Sequence, residues 1–340
     1  MKTADPTMAR AINDRLALDL LLERGPLTAP QLRALTGLSR PTVSDLIERL
    51  RAAGLIEVAG ETGADRRGPN ARLYGLVAGR AHVAGVNLRR DVVQVGVADI
   101  AGTEIGVVSR PLSAEPDLVQ VIASAIDEAG EGRVPHTVVL GTPGLIHPRT
   151  GLASDSGVRG GRPDLGTALA ERLAAPVIVE NEVNLAAIAE HRGGAAAGRD
   201  DFALLWMDDG VGAAIVLDGR LRRGASGGAG EVALLKFGGE DFCCLLEAEV
   251  ERDLGPEALA DMIVKSVFVL VAVLDPGLVV LGGGIGRRGG EGLARLVADR
   301  LGAISPASTE VRPSAVEGDA ILRGAVLTAL DLTRDAVFGG

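Results

Sequence analysis

Apolar residues recur at helical spacing near the start of the chain. Ile12, Leu16 and Leu20, with Leu18 and Leu22 beside them, predict a first helix of about four turns, stopped by Gly25-Pro26. Thr28 stands where a helix cap belongs, before a short helix carrying Leu32 and Leu35. Gly37 supplies a tight turn, and Ser39 caps a third helix with Val43, Leu46, Ile47 and Leu50 inward, ended by Gly54. Leu55 to Val58 and Leu73 to Val77 then read as two strands around the turn-rich stretch from Gly60 to Asn70. From His82 onward, β-rich apolar runs alternate with helical ones, the pattern of α/β architecture. Within that region Val83 to Ile100 and Leu204 to Leu221 echo each other as strand, polar turn, strand. Such an echo predicts two similar lobes, as in the actin-like or ribonuclease-H-like duplicated fold.

Composition adds limits to this picture. No stretch of roughly 18 apolar residues runs uninterrupted, and the start lacks a basic-then-apolar signal pattern, so no membrane segment and a cytoplasmic location are expected. The 47 glycines accompany plentiful aliphatic residues and only 2% aromatics, which indicates tight turns rather than disorder. Cys243 and Cys244 are adjacent, a spacing that favours neither a relaxed disulfide nor a metal framework. Charge is uneven: residues 1–79 carry 11 Lys and Arg against 9 Asp and Glu, net +2, while the rest carries 24 against 36, net −12. An acidic body with a locally basic head is compatible with a nucleic-acid partner, because the local face decides the contact.

The head supplies that face. Two short helices joined by a Gly-containing turn form a helix-turn-helix, whose second helix presents its N-terminal residues to the major groove. Removing the buried positions leaves Arg40, Pro41, Thr42, Ser44, Asp45 and Arg49 outward. Candidate DNA contacts are therefore Arg40, Thr42 and Ser44, with Ser39 serving a phosphate as well as a cap, and Thr28 and Gln31 on the preceding helix. Arg66 and Arg67 at the tip of the strand pair suit the narrow minor groove. The plainer alternative is a protein–protein adaptor with solvated arginines. Duplex sites read by such heads are usually two-fold, so a palindromic operator and a dimer or tetramer are expected.

Four segments of the body carry a resemblance: Gly141-Thr-Pro-Gly144, Glu180-Asn-Glu-Val-Asn184, the Gly-rich run from Gly219 to Glu231, and Leu274-Asp-Pro followed by Val280-Leu-Gly-Gly-Gly284. Together they resemble the ROK family of repressors, open reading frames and sugar kinases, over essentially the whole chain. The resemblance implies a winged helix-turn-helix in residues 1–79 and a two-lobed, sugar-kinase-type body in residues 80–340. Its first lobe takes about 80–195 plus a C-terminal helix at 319–338, and its second about 196–318. It also implies Asn181, Glu182, Glu231 and Glu247 as sugar-binding groups. The alternative is that these four are helix caps and surface acids.

Departures from the family's kinases accumulate at the chemistry. Their phosphate turn of the Asp-Gly-Gly-Thr type is matched by Asn87-Leu88-Arg89-Arg90, bulky where phosphate must approach the backbone. Their Asn-Asp base pair is matched by Asn181-Glu182, and displacing a reacting carboxylate by about an ångström can cost about 100-fold in rate. Their second turn, Gly-Thr-Gly, reads Asp208-Asp209-Gly210, from which repulsion of a triphosphate is expected. The family's zinc ligands are missing too, since Glu231 is followed by no His and the cysteine run is reduced to Phe242-Cys-Cys-Leu-Leu-Glu247. The segment Asp155 to Gly161 lacks the usual Asn-Leu near a Trp. Gly284-Ile-Gly-Arg-Arg-Gly289 fits a dinucleotide pattern but lies too late in a duplicated fold to serve as one. The expectation is a DNA-binding repressor of carbohydrate genes, responsive to a sugar, with no enzyme activity, no cofactor and no metal. A hexose kinase and a ligand-independent DNA-binding protein are the competing readings.

Overall fold

A computed structural model describes residues 6–61, 71–154, 157–237, 239–246 and 255–339. The head comprises α1 (Pro6–Arg24), β1 (Leu27–Thr28), α2 (Ala29–Thr36), α3 (Arg40–Ala52), β2 (Ile56–Glu61) and β3 (Arg72–Leu76), its three strands ordered β1-β3-β2. Val43, Leu46, Ile47 and Leu50 of α3 point inward as expected, joined by Leu18, Leu21 and Leu32. Two expectations fail here. Ile12 is 61% exposed and Leu16 41%, because α1 instead turns Ala17, Leu18 and Leu21 to the core; on α2, Leu35 is likewise exposed. The periodic stripe read along α1 was thus shifted round the helix, a risk whenever apolar residues occupy more than one face.

The body is built on two five-stranded sheets with matching layouts. The first is ordered β6-β5-β4-β7-β8, from β4 (His82–Leu88), β5 (Val92–Asp99), β6 (Glu104–Pro111), β7 (Thr137–Thr142) and β8 (Val177–Asn181). The second is ordered β11-β10-β9-β14-β15, from β9 (Phe202–Met207), β10 (Val211–Leu217), β11 (Arg220–Leu221), β14 (Leu278–Gly282) and β15 (Glu310–Pro313). Each sheet is an antiparallel meander continued by two parallel strands, so the echo seen in the sequence is a structural duplication. A small pair, β12 (Lys236–Phe237) and β13 (Glu240–Asp241), precedes the short α7 (Phe242–Leu245).

Helices fill the spaces in layers. Between the sheets lie α6 (Glu182–Gly193) and the last helix, α10 (Ala320–Val337), which share one core with Val83, Val139, Leu204 and Val280 of the facing strands. Outside the first sheet lie α4 (Leu118–Ala129) and α5 (Leu165–Leu173); outside the second lie α8 (Pro256–Leu274) and α9 (Gly283–Ile304). Gly85 and Gly324 let α10 sit close: a Cβ on Gly324 would lie 1.9 Å from the Leu185 carbonyl oxygen. The far end of α10 meets the head. Phe338 is buried in the head's core with Ala81 and Ile100, and Asp335 accepts a 2.7 Å bond from Arg15 of α1. Among the described residues, no helix is long and apolar enough to cross a membrane.

Candidate functional site

The head's polar residues divide into caps and exposed groups. Thr28 and Gln31 form a capping box: the Thr28 N–H donates to Gln31 Oε1 at 2.8 Å, and the Gln31 N–H to Thr28 Oγ1 at 3.4 Å. Thr28 is buried, whereas Gln31 is exposed. Ser39 caps α3, accepting from the Thr42 N–H and lying 2.8 Å from the Thr42 hydroxyl. Arg40 and Ser44 are exposed on the first turn and a half of that helix, next to its positive dipole end. Arg49, by contrast, is held against the head: it donates to Asp14 of α1 at 2.6 Å and to Asp45 one turn back. Arg66 and Arg67 lie outside the described residues, so β2 and β3 are seen leading into the wing without its tip.

The second candidate site is the cleft between the sheets. Asn181 spends its side chain on structure. Its Oδ1 accepts from the Val183 and Asn184 N–H groups, capping α6, while its Nδ2 donates to the Gly144 carbonyl at 3.0 Å. Glu182, the next residue, lines a cavity of about 160 Å³ with Arg89, Asp208, Asp209 and Gly210. Burial pushes its carboxyl up to about 7; Arg89 opposes that shift, and Asp208, Asp209 and Asp319 add to it. Glu231 is exposed at the end of the Gly-rich run and outside that cavity, its carboxyl raised by partial desolvation. Glu247 and the Asp155-Ser156 segment lie outside the described residues.

Three contacts escaped sequence reasoning. Arg89 bridges the cleft to Asp208, at 3.6 Å, and to Asp209, so the two acids are paired across the lobes instead of standing as a bare negative turn. That alters the expectation for the second phosphate turn: its charge is answered from within the chain. Arg223 of the Gly-rich run places both Nε and Nη2 2.6 Å from Oε2 of buried Glu180. The run itself needs glycine where it threads between loops, since a Cβ on Gly227 (φ +90°) would lie 2.1 Å from the Ile146 carbonyl oxygen and one on Gly230 (φ +90°) 1.8 Å from that of Ala213. Finally, Asn87 donates to Asp319, the cap of α10, at 2.8 Å. Partners 120, 43 and 232 residues apart leave no periodic or spacing signal.

Comparison with known proteins places this geometry. The ROK family model matches residues 83–244, and the MarR family model residues 12–68. The chain carries a ROK-family domain behind a MarR-type winged head. It is similar to the xylose repressor of Bacillus subtilis, 25% identical over 254 residues covering 72% of this chain and 66% of the repressor. The matched span is thus just under two thirds of that relative's length. It is also similar to the glucokinase of Streptomyces coelicolor, 26% identical over 47% of this chain and 51% of the kinase. Among solved structures, a ROK family transcriptional regulator described as a homolog of the E. coli MLC protein superposes with a TM-score of 0.73 over 98% of this chain and 100% of its own, at 18% identity. The ROK hexokinase of Thermus thermophilus gives 0.65 over 75% of this chain and 99% of its own, at 26% identity. The first of these spans head and body together; the second spans three quarters of this chain. The regulator agrees with a winged head joined to the body, and the hexokinase with a sugar-kinase-like fold for the part it covers.

Proposed function

We propose that this ROK-family protein is a transcriptional repressor of carbohydrate-related genes whose affinity for a palindromic operator responds to a small sugar. The observation that carries the reading is the head: α3, capped by Ser39, presents exposed Arg40 and Ser44 and half-buried Thr42 beside a wing, joined to a body whose phosphate turns are bridged by Arg89 and two aspartates. Similarity to xylose repressors supports the gene class. In this reading Arg40, Thr42 and Ser44 contact bases or phosphates, Ser39 and Gln31 a phosphate, and Arg66 and Arg67 the minor groove. Thr28 acts through the capping box. The body pairs two copies, as a dimer or tetramer, so that two heads meet a two-fold site. Glu182, Glu231 and Glu247 take sugar hydroxyls, with Asn181 shaping the rim, and the sugar changes operator affinity by binding one lobe arrangement better than the other.

Recovery of genomic DNA fragments by the purified protein, with and without candidate sugars, tests the reading. A shared palindrome beside carbohydrate genes supports it; no enriched fragment overturns it. For the contacts, Arg40→Ala with Arg67→Ala is expected to weaken operator binding by at least about 30-fold, since each good contact carries roughly 1–3 kcal/mol and the variant removes two. Unchanged, salt-sensitive binding by that variant would remove both residues from the interface.

One observation favours a kinase as the second reading. Glu182 occupies the position of the family's base, and a carboxyl held at about 7 is suited to taking a hydroxyl proton. Arg89, tied to Asp209 where phosphate would pass, opposes it. Incubation with ATP, Mg²⁺ and a panel of hexoses decides: ADP released above background establishes the kinase, and its absence leaves the repressor.

A further inference from the structure

Two ion pairs join the lobes, one at Glu180 and one at Arg89, and they are built differently. Arg223, from the second lobe, holds Oε2 of Glu180 with two nitrogens, while Oε1 of the same carboxylate accepts the Asn181 N–H at 3.0 Å and the Asn184 amide at 2.9 Å. Glu180 is only 5% exposed, so parting this pair would strand a buried charge. Arg89 belongs to the β4–β5 turn of the first lobe, and Asp208 and Asp209 to the β9–β10 turn of the second. These turns occupy equivalent positions in the two sheets. The Asp209 side chain is 68% exposed, and water replaces its bond to Arg89 at little cost.

We propose that Arg89 is a releasable clasp between the lobes: bound to Asp208 and Asp209 it closes the cleft over Glu182, and released it lets the lobes part about the fixed Arg223–Glu180 staple. The charges around the cavity explain why a clasp is needed. Asp208, Asp209 and Glu182 line one cavity together with Arg89 and Arg90, and Arg89 acts on all three acids, pairing with Asp208 and Asp209 and attracting Glu182. Without it, carboxylates on opposite lobes repel and the open arrangement gains. With it, the chain itself supplies the cross-lobe bridge. The inference rests on the cleft being the effector chamber, but its effect on lobe spacing requires neither DNA nor sugar, so the two readings fail separately.

The test is the distribution of lobe separation in the full-length protein. Spin labels are placed at exposed Glu171 on α5 and exposed Glu291 on α9, with Cys243 and Cys244 changed to serine. At low salt the unaltered clasp should give one dominant short separation. Arg89→Ala should raise the ratio of open to closed molecules by up to about fivefold, the range of an exposed ion pair, and high salt should move the protein with an intact clasp the same way. Asp209→Ala should have a smaller effect in the same direction, because Asp208 remains. The exchange Arg89→Asp with Asp209→Arg should restore the short separation. If Arg89→Ala fails to fold, Asp209→Ala and the salt series still decide. The proposal is overturned if separations stay the same in the variants at every salt concentration, or if the exchange leaves the lobes apart, which would assign the effect to lost packing of the arginine stem.

Discussion

In the head, Arg40 and Ser44 at the start of α3 face water, and among the described residues Arg40 has no ion-pair partner; in the cleft, Arg89, Arg223, Glu180, Asp208 and Asp209 are all spent on one another. Free charge on a surface is available to a large polyanion and carries sequence or phosphate contacts at little prior cost. Paired charge in a cleft is different. A ligand must match or displace bonds already made, so selectivity for polar groups is high and adventitious anions gain little. One chain therefore holds a surface ready to bind and a chamber that must first be opened, and the helix between them, α10, begins at the cap Asp319 beside Glu182 and ends at Phe338 in the head's core.

The sharpest way to break the comparison is to damage the head alone. Leu46 is 1% exposed in a core formed by α1, α2, α3 and the sheet of the wing, with Ala81, Ile100 and Phe338 contributed by the body. Leu46→Ala should cost about 2–5 kcal/mol. If the head is an autonomous unit, calorimetry should show a new early transition, loss of DNA binding, and an unmoved melt for the body. A single transition lowered as a whole would show instead that Phe338 and the Arg15–Asp335 bond bind the two parts into one cooperative unit.

The chamber is broken through its titration. Glu182 titrates at about 7 when folded, above its ordinary value, so folding binds a proton and the ionised carboxylate is destabilising. The charged groups around it are Arg89 and Arg90 from the β4–β5 turn, Asp208 and Asp209 from the β9–β10 turn, and Asp319 at the start of α10. Its penalty is absent at acid pH, where both folded and unfolded forms are protonated, grows as pH rises through the interval between the ordinary carboxyl value and 7, and is complete above 7. Allowing for solvent at the open cavity, its size is on the order of 1–2 kcal/mol. Glu182→Gln should therefore raise the melting temperature by about 2–6 °C at pH 8 and leave it nearly unchanged at pH 5. A stabilisation equal at both pH values would mean that packing, not charge, was altered.

Why the head was the more legible region follows from the range of its interactions. The caps at Thr28 and Ser39 answer groups three residues away, and the inward face of α3 repeats at every turn, so residue type and spacing specify them. Even there, α1 misled: Ile12 and Leu16 continue an apolar series that the fold leaves outside, and only the position of neighbouring helices selects Ala17, Leu18 and Leu21. The duplicated sheets were visible because each strand pair is local. What the cleft does with its charges was not, since Arg89 meets Asp209, and Arg223 meets Glu180, only after both sheets have formed. Asp208-Asp209 read alone is a repulsive turn; read with Arg89 it is one half of a bridge.

The smallest expected effect separates the two roles that one head residue can combine. Thr28 stands among the candidate contacts by position, yet it is buried, and its hydroxyl lies 2.8 Å from Gln31 Oε1 while accepting the Gln31 N–H. Losing a cap costs about 1 kcal/mol. If the cap is all that Thr28 supplies, Thr28→Ala should lower the head's stability by that amount, weaken operator binding only through the fraction of heads unfolded, and leave the dependence of binding on salt unchanged, because no phosphate contact is lost. Thr28→Ser, which keeps the hydroxyl, should behave almost as the parent. A shallower salt dependence for Thr28→Ala, with the head's melt unmoved, would make the hydroxyl a phosphate ligand and move this residue from the buried, self-satisfied class of the cleft to the open class of Arg40.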